Sequence, residues 1–211
     1  MQVVTDLSAW PWPNERSVIT IGAYDGVHLG HQAVIGQVRE RAARVGAKSV
    51  VVTFDRHPAS VVRPDAAPRL LTNTAQKLEL LAATGVDAVV VLSFTPEQSK
   101  EIPSDFVQRV IVDGLHASTV IVGSDFHFGH MRQGNVNLLR EMGERHDFTC
   151  EPVVLIERAD DIDEPVSSTA IRRALAGGEI ATAAKMLGHS YEVVGTVVTG
   201  DQRGRTIGFP T

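Results

Sequence analysis

Apolar residues in this chain fall into short runs, which alternate with longer stretches where they recur every three or four positions. The runs predict an edge strand over Met1 to Thr5 and buried strands over residues 17–22, 48–54, 87–93, 118–123 and 148–156. The intervening stretches predict helices over residues 30–45, 73–84, 103–112, 134–145, 168–176 and 179–187. This alternation indicates an α/β fold with a parallel sheet and helices on both faces. The three prolines of residues 58–68 predict a loop.

Four stretches that are rich in glycine, histidine or hydroxyl residues follow predicted strands. They are residues 22–31, 53–58, 123–129 and 166–172. In open parallel sheets, ligands bind beyond the carboxyl ends of the strands, where the strand order changes direction. We therefore predict that these four stretches form one composite binding site.

Composition and charge narrow the class of protein. Of the 211 residues, 43% are hydrophobic and 21% are charged. A chain of this length and composition can bury one hydrophobic core. A formal net charge of −5 argues against a general nucleic-acid binder but allows a local phosphate site. A single cysteine, Cys150, excludes an internal disulfide and a cysteine-rich zinc site. Because the sequence has neither a basic leader nor an apolar run of membrane length, we expect a cytoplasmic enzyme that binds no membrane.

The first of the four stretches, Gly22 to His31, joins a strand to a helix through a glycine turn. The N-terminus of a helix offers free N–H groups and a positive dipole end, so it is a natural phosphate site. His28 and His31 stand at this point and can add donors toward a phosphoryl oxygen. A capping role, a surface role or a zinc pair are the alternatives. Glycines at positions 22, 26 and 30 favour the phosphate site.

This stretch also resembles a known signature. It is similar to the His-x-Gly-His motif of the nucleotidyltransferases, and its Asp-Gly-Val-His form is similar to their FAD synthetase branch. The resemblance implies a Rossmann-like nucleotidyltransferase fold. It also implies that His28 and His31 bind a triphosphate and stabilise charge while the α-phosphorus is attacked.

The fourth stretch, Val166 to Arg172, allows two interpretations. Ser167 can cap a helix without any ligand. The run also resembles the Ser-Ser-Thr-x-Ile-Arg motif of nucleotidyltransferases, which holds the ATP phosphates. On that resemblance Ser168, Thr169 and Arg172 join the two histidines as catalytic residues.

The other two stretches resemble segments near the flavin in the FAD synthetase branch. Thr53 to Pro58 is similar to its Thr-Phe-x-x-His-Pro segment, and Gly123 to Gly129 to its Gly-x-Asp-Phe-x-Phe-Gly motif, in which arginine often stands at the position of His127. From the residues alone, the first is a strand end with a polar loop, and the aromatic residues of the second fit either a core or a wall against a flat isoalloxazine ring. The resemblance implies the following substrate-binding residues: Gly22, Tyr24, Asp25, Gly30, Phe54, His57, Gly123, Asp125, Phe126 and Phe128.

The sequence changes character after Gly188. Residues 191–198 alternate weakly and predict β structure, and Gly204 to Thr211 resembles the opening of the riboflavin kinase module. We predict an FMN adenylyltransferase domain over residues 1–188 and a truncated, β-rich start of a riboflavin kinase β-barrel over 189–211. Longer bifunctional members also convert riboflavin and ATP to FMN and ADP, and we expect this kinase activity to be absent here.

Together these resemblances imply an FMN adenylyltransferase, in which the FMN phosphate attacks the ATP α-phosphorus in line and releases pyrophosphate. The expected partners are the small molecules ATP and FMN, with Mg²⁺ bound mainly through the nucleotide, so no protein ligand is assigned to it. The oligomeric state is left open. One alternative is a nucleotidyltransferase for pantetheine phosphate, nicotinamide mononucleotide or glycerol phosphate. Another is a flavin- or nucleotide-binding regulator without turnover.

Overall fold

The structure is a computed structural model that describes residues 1–153, 165–200, 203 and 208. Its strands are β1 Gln2–Val4, β2 Ser17–Ile21, β3 Lys48–Phe54, β4 Ala88–Leu92, β5 Ala117–Gly123, β6 His127–Phe128, β7 Gly134–Asn135 and β8 Thr149–Val153. Six of them form a parallel sheet in the order β1-β4-β3-β2-β5-β8, while β6 and β7 form a separate antiparallel pair. The predicted parallel α/β fold is confirmed.

The helices lie close to their predicted positions. They are α1 Leu29–Val45, α2 Pro58–Val62, α3 Thr74–Ala83, α4 Pro103–Phe106, α5 Val136–His146, α6 Ser168–Ala176 and α7 Ile180–Leu187. The chain continues from α4 as a π-helix over Val107–Gly114, and short 3₁₀ turns cover Leu7–Ala9, Pro64–Ala66, Gln98–Lys100 and His130–Arg132. The loop predicted for residues 58–68 is wrong in part. Pro58 and Pro64 each open a helical segment, where the missing N–H of proline costs no hydrogen bond.

The strands are apolar because both faces of the sheet are covered. On one face, Ile19 and its neighbours pack with Phe106 and Leu139 from the region of α4 and α5. On the other face, Val18 packs with Val34 of α1. Alternate strand residues therefore enter opposite layers of the core, as period-two geometry requires.

The change of direction in the sheet lies between β2 and β5. From β2 the chain proceeds to β3 and β4 on one side and later to β5 and β8 on the other. The connections that leave the carboxyl ends of β2 and β5 therefore diverge, and the space between them is the usual ligand site of such a sheet. Two predicted stretches, residues 22–31 and 123–129, lie at these ends.

The C-terminal part of the chain is only partly described. Residues 191–200 form neither helix nor strand, since no neighbouring strand in the described ranges pairs with this β-prone run. The end of the fifth predicted strand, residues 154–156, lies outside the described residues, as does the kinase-like motif of residues 204–211 apart from position 208. Within the described ranges, no helix is both long and apolar enough to span a membrane.

Candidate functional site

The turn after β2 has an unusual backbone. Tyr24, Gly26 and Val27 have φ angles of 52°, 81° and 39°. The left-handed region suits glycine, but a β-branched residue such as Val27 is strained there. Such strain persists only where the surroundings hold it, and it is concentrated at functional sites. The turn thus carries the conformational cost typical of a binding loop.

His28 and His31 are stacked at the start of α1. Their ring centroids lie 3.6 Å apart at an interplanar angle of 20°. His28 is the N-cap, and its Nδ1 accepts a hydrogen bond of 3.4 Å from the backbone N–H of His31. This bond assigns the ring proton of neutral His28 to Nε2, which is then the donor available to a ligand. A Cβ on Gly30 would lie 3.2 Å from Cε1 of His28, so glycine leaves room for this ring.

Both imidazoles are uncharged at neutral pH. Burial lowers the pKa of His28 to about 4; Asp25 opposes this effect and Arg172 adds to it. Burial also holds the pKa of His31 well below its usual value, with His28 adding to the effect. The Nδ1 atom of His31 is buried and has no hydrogen-bond partner in the described part of the chain. An unsatisfied buried donor or acceptor is uncommon, so it points to a ligand at this pair.

The lowered pKa of His28 predicts that acid destabilises the fold. Between pH 6.5 and about 4 the unfolded chain binds a proton on His28 and the folded protein does not. The free energy of unfolding should therefore fall as the pH is lowered through this window, by on the order of 3 kcal/mol at its acid end. Urea unfolding at the two ends of the window measures this loss. His28→Asn keeps a capping side chain and should lose less stability in acid; an equal loss in both proteins would exclude His28 as the cause.

Asp25 connects the turn to the fourth stretch. Its carboxylate is buried and accepts hydrogen bonds from the backbone N–H groups of Leu71 and Thr72 and from the Thr72 hydroxyl, at 3.0–3.1 Å. It also forms an ion pair with Nη2 of Arg172 at 2.5 Å. In this structure Asp25 has an internal role, in which it orients Arg172, and its predicted substrate contact stays a prediction.

Arg172 is fixed from two sides and only partly buried. Its Nε donates to the carbonyl of Arg69 at 2.7 Å, in addition to the ion pair with Asp25. The side chain is 19% exposed, which leaves its other N–H groups for an anion. The structure thus brings Arg172 to the turn that carries His28, and the electrostatic influence of Arg172 on the pKa of His28 reflects this proximity.

The N-terminus of α6 lies against the same turn. Ser167 caps the helix by accepting from the N–H of Ala170 at 3.1 Å, as the ligand-free interpretation predicts. Ser168 donates its hydroxyl to the carbonyl of Asp25 at 3.0 Å, and Thr169 is exposed. The hydroxyl of Ser168 therefore joins the helix to the turn, while Thr169 and the free N–H groups of the first turn stay available.

Lys77 is a site residue that the sequence interpretation missed. It is buried, and its Nζ donates to the carbonyl of Phe54 at 2.8 Å, to the Thr53 hydroxyl at 3.2 Å and to the carbonyl of Ala23 at 3.4 Å. Lys77 thus ties the turn after β2 to the end of β3. Its position one helical turn before the buried Leu81, on the apolar face of α3, is the sequence signal that could have revealed it.

Replacing Lys77 with methionine keeps the aliphatic stem and removes all three hydrogen bonds. We expect the free energy of unfolding to fall by about 1–3 kcal/mol, because charged hydrogen bonds are lost but the burial cost of the ammonium is relieved. Thermal or urea unfolding measures the change. Lys185→Met, on an exposed position of α7, is the matched control and should change stability by less than about 0.5 kcal/mol. Equal effects of the two substitutions would contradict the stabilising role of the hydrogen bonds from Lys77.

His57, in the second stretch, lies near Arg172, Asp25 and Lys77. Its Nδ1 accepts from the N–H of Ala59 at 3.1 Å, which caps α2. Burial lowers the pKa of His57. The positive charges of Arg172 and Lys77 lower this pKa further, and the charge of Asp25 opposes them. The end of β3 therefore meets the turn after β2 and the start of α6 at one place.

The aromatic residues of the third stretch form a small stack beyond β5. The rings of Phe126 and Phe128 lie 5.4 Å apart at 18°, and Phe106 lies 5.6 Å from Phe128. Both stretch residues are half-buried against the main core, so they combine the two interpretations left open by the sequence. Asp125 is exposed. Strand order places this stretch at the same edge as the turn, because β5 is the neighbour of β2.

Three of the remaining residues predicted to contact substrate pack against other protein side chains around the site. Tyr24 is buried, its hydroxyl is 2.7 Å from that of Thr20, and its ring lies 4.9 Å from His31. A Cβ on Gly22 would lie 3.0 Å from the Tyr24 ring, so glycine allows this packing. Phe54 packs edge-on against Phe94 at 5.3 Å. Here these residues support the turn and the strand end.

In comparison with known proteins, two family models match the chain. Residues 11–170 match the model of FAD synthetase, and residues 187–211 match that of riboflavin kinase. The chain belongs to the FAD synthetase family. Curated relatives named bifunctional riboflavin kinase/FMN adenylyltransferase include those of Listeria monocytogenes, 39% identical over 95% of this chain, and Pseudomonas fluorescens, 37% identical over 100% of it.

This FAD synthetase family member spans 62% of the Listeria relative and 67% of the Pseudomonas relative. A crystal structure described as a macrolide-efflux protein from Streptococcus pneumoniae is similar in fold, with a TM-score of 0.79 and 26% identity. That similarity covers 99% of this chain and 66% of the other. The similarity to the solved structure therefore extends over almost all of the chain, as the match to the two curated relatives does.

Proposed function

We propose that this chain is an FMN adenylyltransferase that converts ATP and FMN into FAD and pyrophosphate. The observation that carries the proposal is the meeting of the stacked His28 and His31 with Arg172 and the start of α6 around Asp25. Two helix N-termini, two imidazoles and one guanidinium there offer donors to a polyphosphate. Membership of the FAD synthetase family favours FMN as the acceptor.

The lowered pKa values make both imidazoles weak bases, so they suit hydrogen-bond donation to developing charge better than proton abstraction. The FMN phosphate is an anion at neutral pH, so its oxygen can attack the α-phosphorus of ATP without a general base. The new P–O bond forms as the bond to the pyrophosphate oxygen breaks, and negative charge grows on the leaving group. Donors placed in advance, such as Nε2–H of His28, stabilise that charge and hold the reactants in line.

We assign the nucleotide to the side of the site formed by the two helix N-termini. Arg172, Thr169 and the N–H groups of α6 would hold the triphosphate opposite the histidines, while Ser168 and Asp25 fix the geometry. The remaining predicted contacts of the turn, Gly22, Tyr24 and Gly30, would act through its shape.

We assign the flavin to the side of the site formed by the third stretch. Phe126 and Phe128 offer a half-buried aromatic surface, and the exposed Asp125 offers a polar group beside it. Gly123 ends β5 at this edge. His57 lies just beyond the end of β3, which neighbours β2 on the side opposite β5, and Phe54 supports that strand end.

Magnesium would enter with ATP as part of the substrate. In the described ranges, no group of three or more His, Cys, Asp or Glu side chains could hold a metal ion. The carboxylate of Asp25 is engaged with Arg172 and the backbone. We assign the ligands of the ion to phosphate oxygens and water.

We further propose that residues 1–188 form the adenylyltransferase domain and that residues 189–211 begin a riboflavin kinase module. The second match starts at residue 187, close to this boundary, and supports it.

The deciding experiment is incubation of the protein with ATP, Mg²⁺ and FMN, followed by chromatography for FAD and an assay for pyrophosphate. Equal amounts of both products are expected. Tight FMN binding without FAD would favour a regulator. Turnover of pantetheine phosphate, nicotinamide mononucleotide or glycerol phosphate instead of FMN would favour another nucleotidyltransferase.

A further inference from the structure

The chain that leaves α7 contacts the strained turn after β2 directly. The Gln32 side-chain amide donates to the carbonyl of Val27 at 2.8 Å and to that of Leu187 at 2.9 Å. Nε2 of His189 lies 3.0 Å from the carbonyl of Gly26, and its Nδ1 lies 2.9 Å from the carbonyl of Ser190. Two consecutive carbonyls of the turn are therefore held by side chains that also contact the end of α7 or the chain after it.

These two carbonyls belong to left-handed residues. Gly26 and Val27 have φ angles of 81° and 39°, and His28 follows them immediately. A peptide unit whose carbonyl loses its donor can rotate toward water, and rotation of the unit after Val27 moves the backbone of His28. The Gln32 amide, and His189 in the tautomer that carries its proton on Nε2, thus help to hold the strain that positions the stacked histidines.

Close packing brings the end of α7 and the chain that follows it (Leu187 to Ser190, here called the junction) against the turn after β2. Gly188 has a φ of 74°, and a Cβ there would lie 2.5 Å from Cδ2 of Leu29, in the first turn of α1. Glycine therefore lets the end of α7 touch the helix that begins with the histidine pair. Beside the contact lies a cavity of about 320 Å³, lined among others by Gly26, His189 and Tyr191. This cavity leaves room for the chain after α7 to move when these hydrogen bonds are removed.

We propose that Gln32 and His189 are positioning residues for adenylyl transfer. Through them, the first residues of the segment that matches riboflavin kinase set the geometry of the phosphate-binding turn. The proposal rests on the proposed function, since its catalytic effect is on FAD formation. A change in the kinase-like segment that moves the junction then changes the rate of adenylyl transfer without touching ATP or FMN.

The test compares His189→Ala and Gln32→Ala with matched controls in FAD formation. Each loss of a donor should lower kcat by about 10- to 100-fold, the cost of a small misplacement of reacting groups, with a smaller change in the KM for FMN. His189→Gln restores an N–H donor and should recover most of the rate. Gln37→Ala, on an exposed position of the same helix, and Ser190→Ala, next to His189, should leave the rate unchanged.

A second measurement does not depend on catalysis. Amide hydrogen exchange of residues 24–31 in the ligand-free protein should be faster in His189→Ala and Gln32→Ala than in the controls, while exchange in β2 and β3 stays at the wild-type rate. If the wild-type protein forms no FAD, the proposed function fails, but this exchange result still decides whether the donors hold the turn. Wild-type exchange and wild-type kcat in both variants would overturn the inference, and so would faster exchange throughout the protein.

Discussion

Replacing His28 or His31 with alanine is expected to lower the kcat of FAD formation by a factor on the order of 10² or more. Both rings are uncharged and buried or half-buried at the start of α1, and His28 has its proton directed to Nε2 by the bond at Nδ1. Alanine removes the donor that would face the phosphoryl oxygens as charge develops. Because the interaction strengthens in the transition state, the loss should appear in kcat more than in the KM for ATP.

Steady-state kinetics with a coupled pyrophosphate assay measures this effect. His28→Gln keeps a side-chain N–H near the position of Nε2 and should lose less activity than His28→Ala. His146→Ala, at the end of α5 and away from the turn, should have wild-type kinetics. A wild-type rate in His28→Ala or His31→Ala would refute charge stabilisation by that ring. A rate that rises on protonation over pH 5–7 would instead indicate that a charged imidazole is required.

The fold follows from the sequence because local patterns determine its elements. The apolar run that forms β3 lies at the predicted residues 48–54, and the helix predicted to end near Gly46 does so through a left-handed cap at that glycine. The antiparallel pair of β6 and β7 was not predicted. Its two strands are two residues long, too short to produce a recognisable alternation.

The candidate site was predictable only where its residues lie in local motifs. The two histidines and the start of α6 belong to such motifs, and the structure joins them. Leu71 and Thr72 donate their backbone N–H groups to Asp25, but they lie outside every motif. They contact Asp25 across 46 and 47 positions of the chain. The same holds for Lys77, Gln32 and His189, which contact carbonyl groups far away in the chain. Sequence patterns show which residues are unusual, but not which carbonyl or carboxylate they will meet after folding.

The same long-range contacts make Asp25 the residue with the largest expected effect on stability. Asp25→Ala leaves the half-buried guanidinium of Arg172 without its carboxylate and removes the acceptor of two backbone N–H groups. Removing one partner of a buried ion pair typically costs about 3–5 kcal/mol, and we expect a loss of that size in the free energy of unfolding. Urea unfolding at neutral pH measures it.

The matched control for Asp25 is an ion pair at the surface. Asp147 pairs with Arg16 at 2.9 Å, but its side chain is 93% exposed, so Asp147→Asn should cost less than about 1 kcal/mol. Asp25→Asn keeps one acceptor oxygen and should fall between the two. A double-mutant cycle with Arg172→Met isolates the Asp25–Arg172 interaction, because methionine removes the charge that alanine at position 25 leaves unpaired. A loss below about 1 kcal/mol in Asp25→Ala would mean that water replaces the carboxylate, and that Arg172 is held at the phosphate site by the Arg69 carbonyl alone.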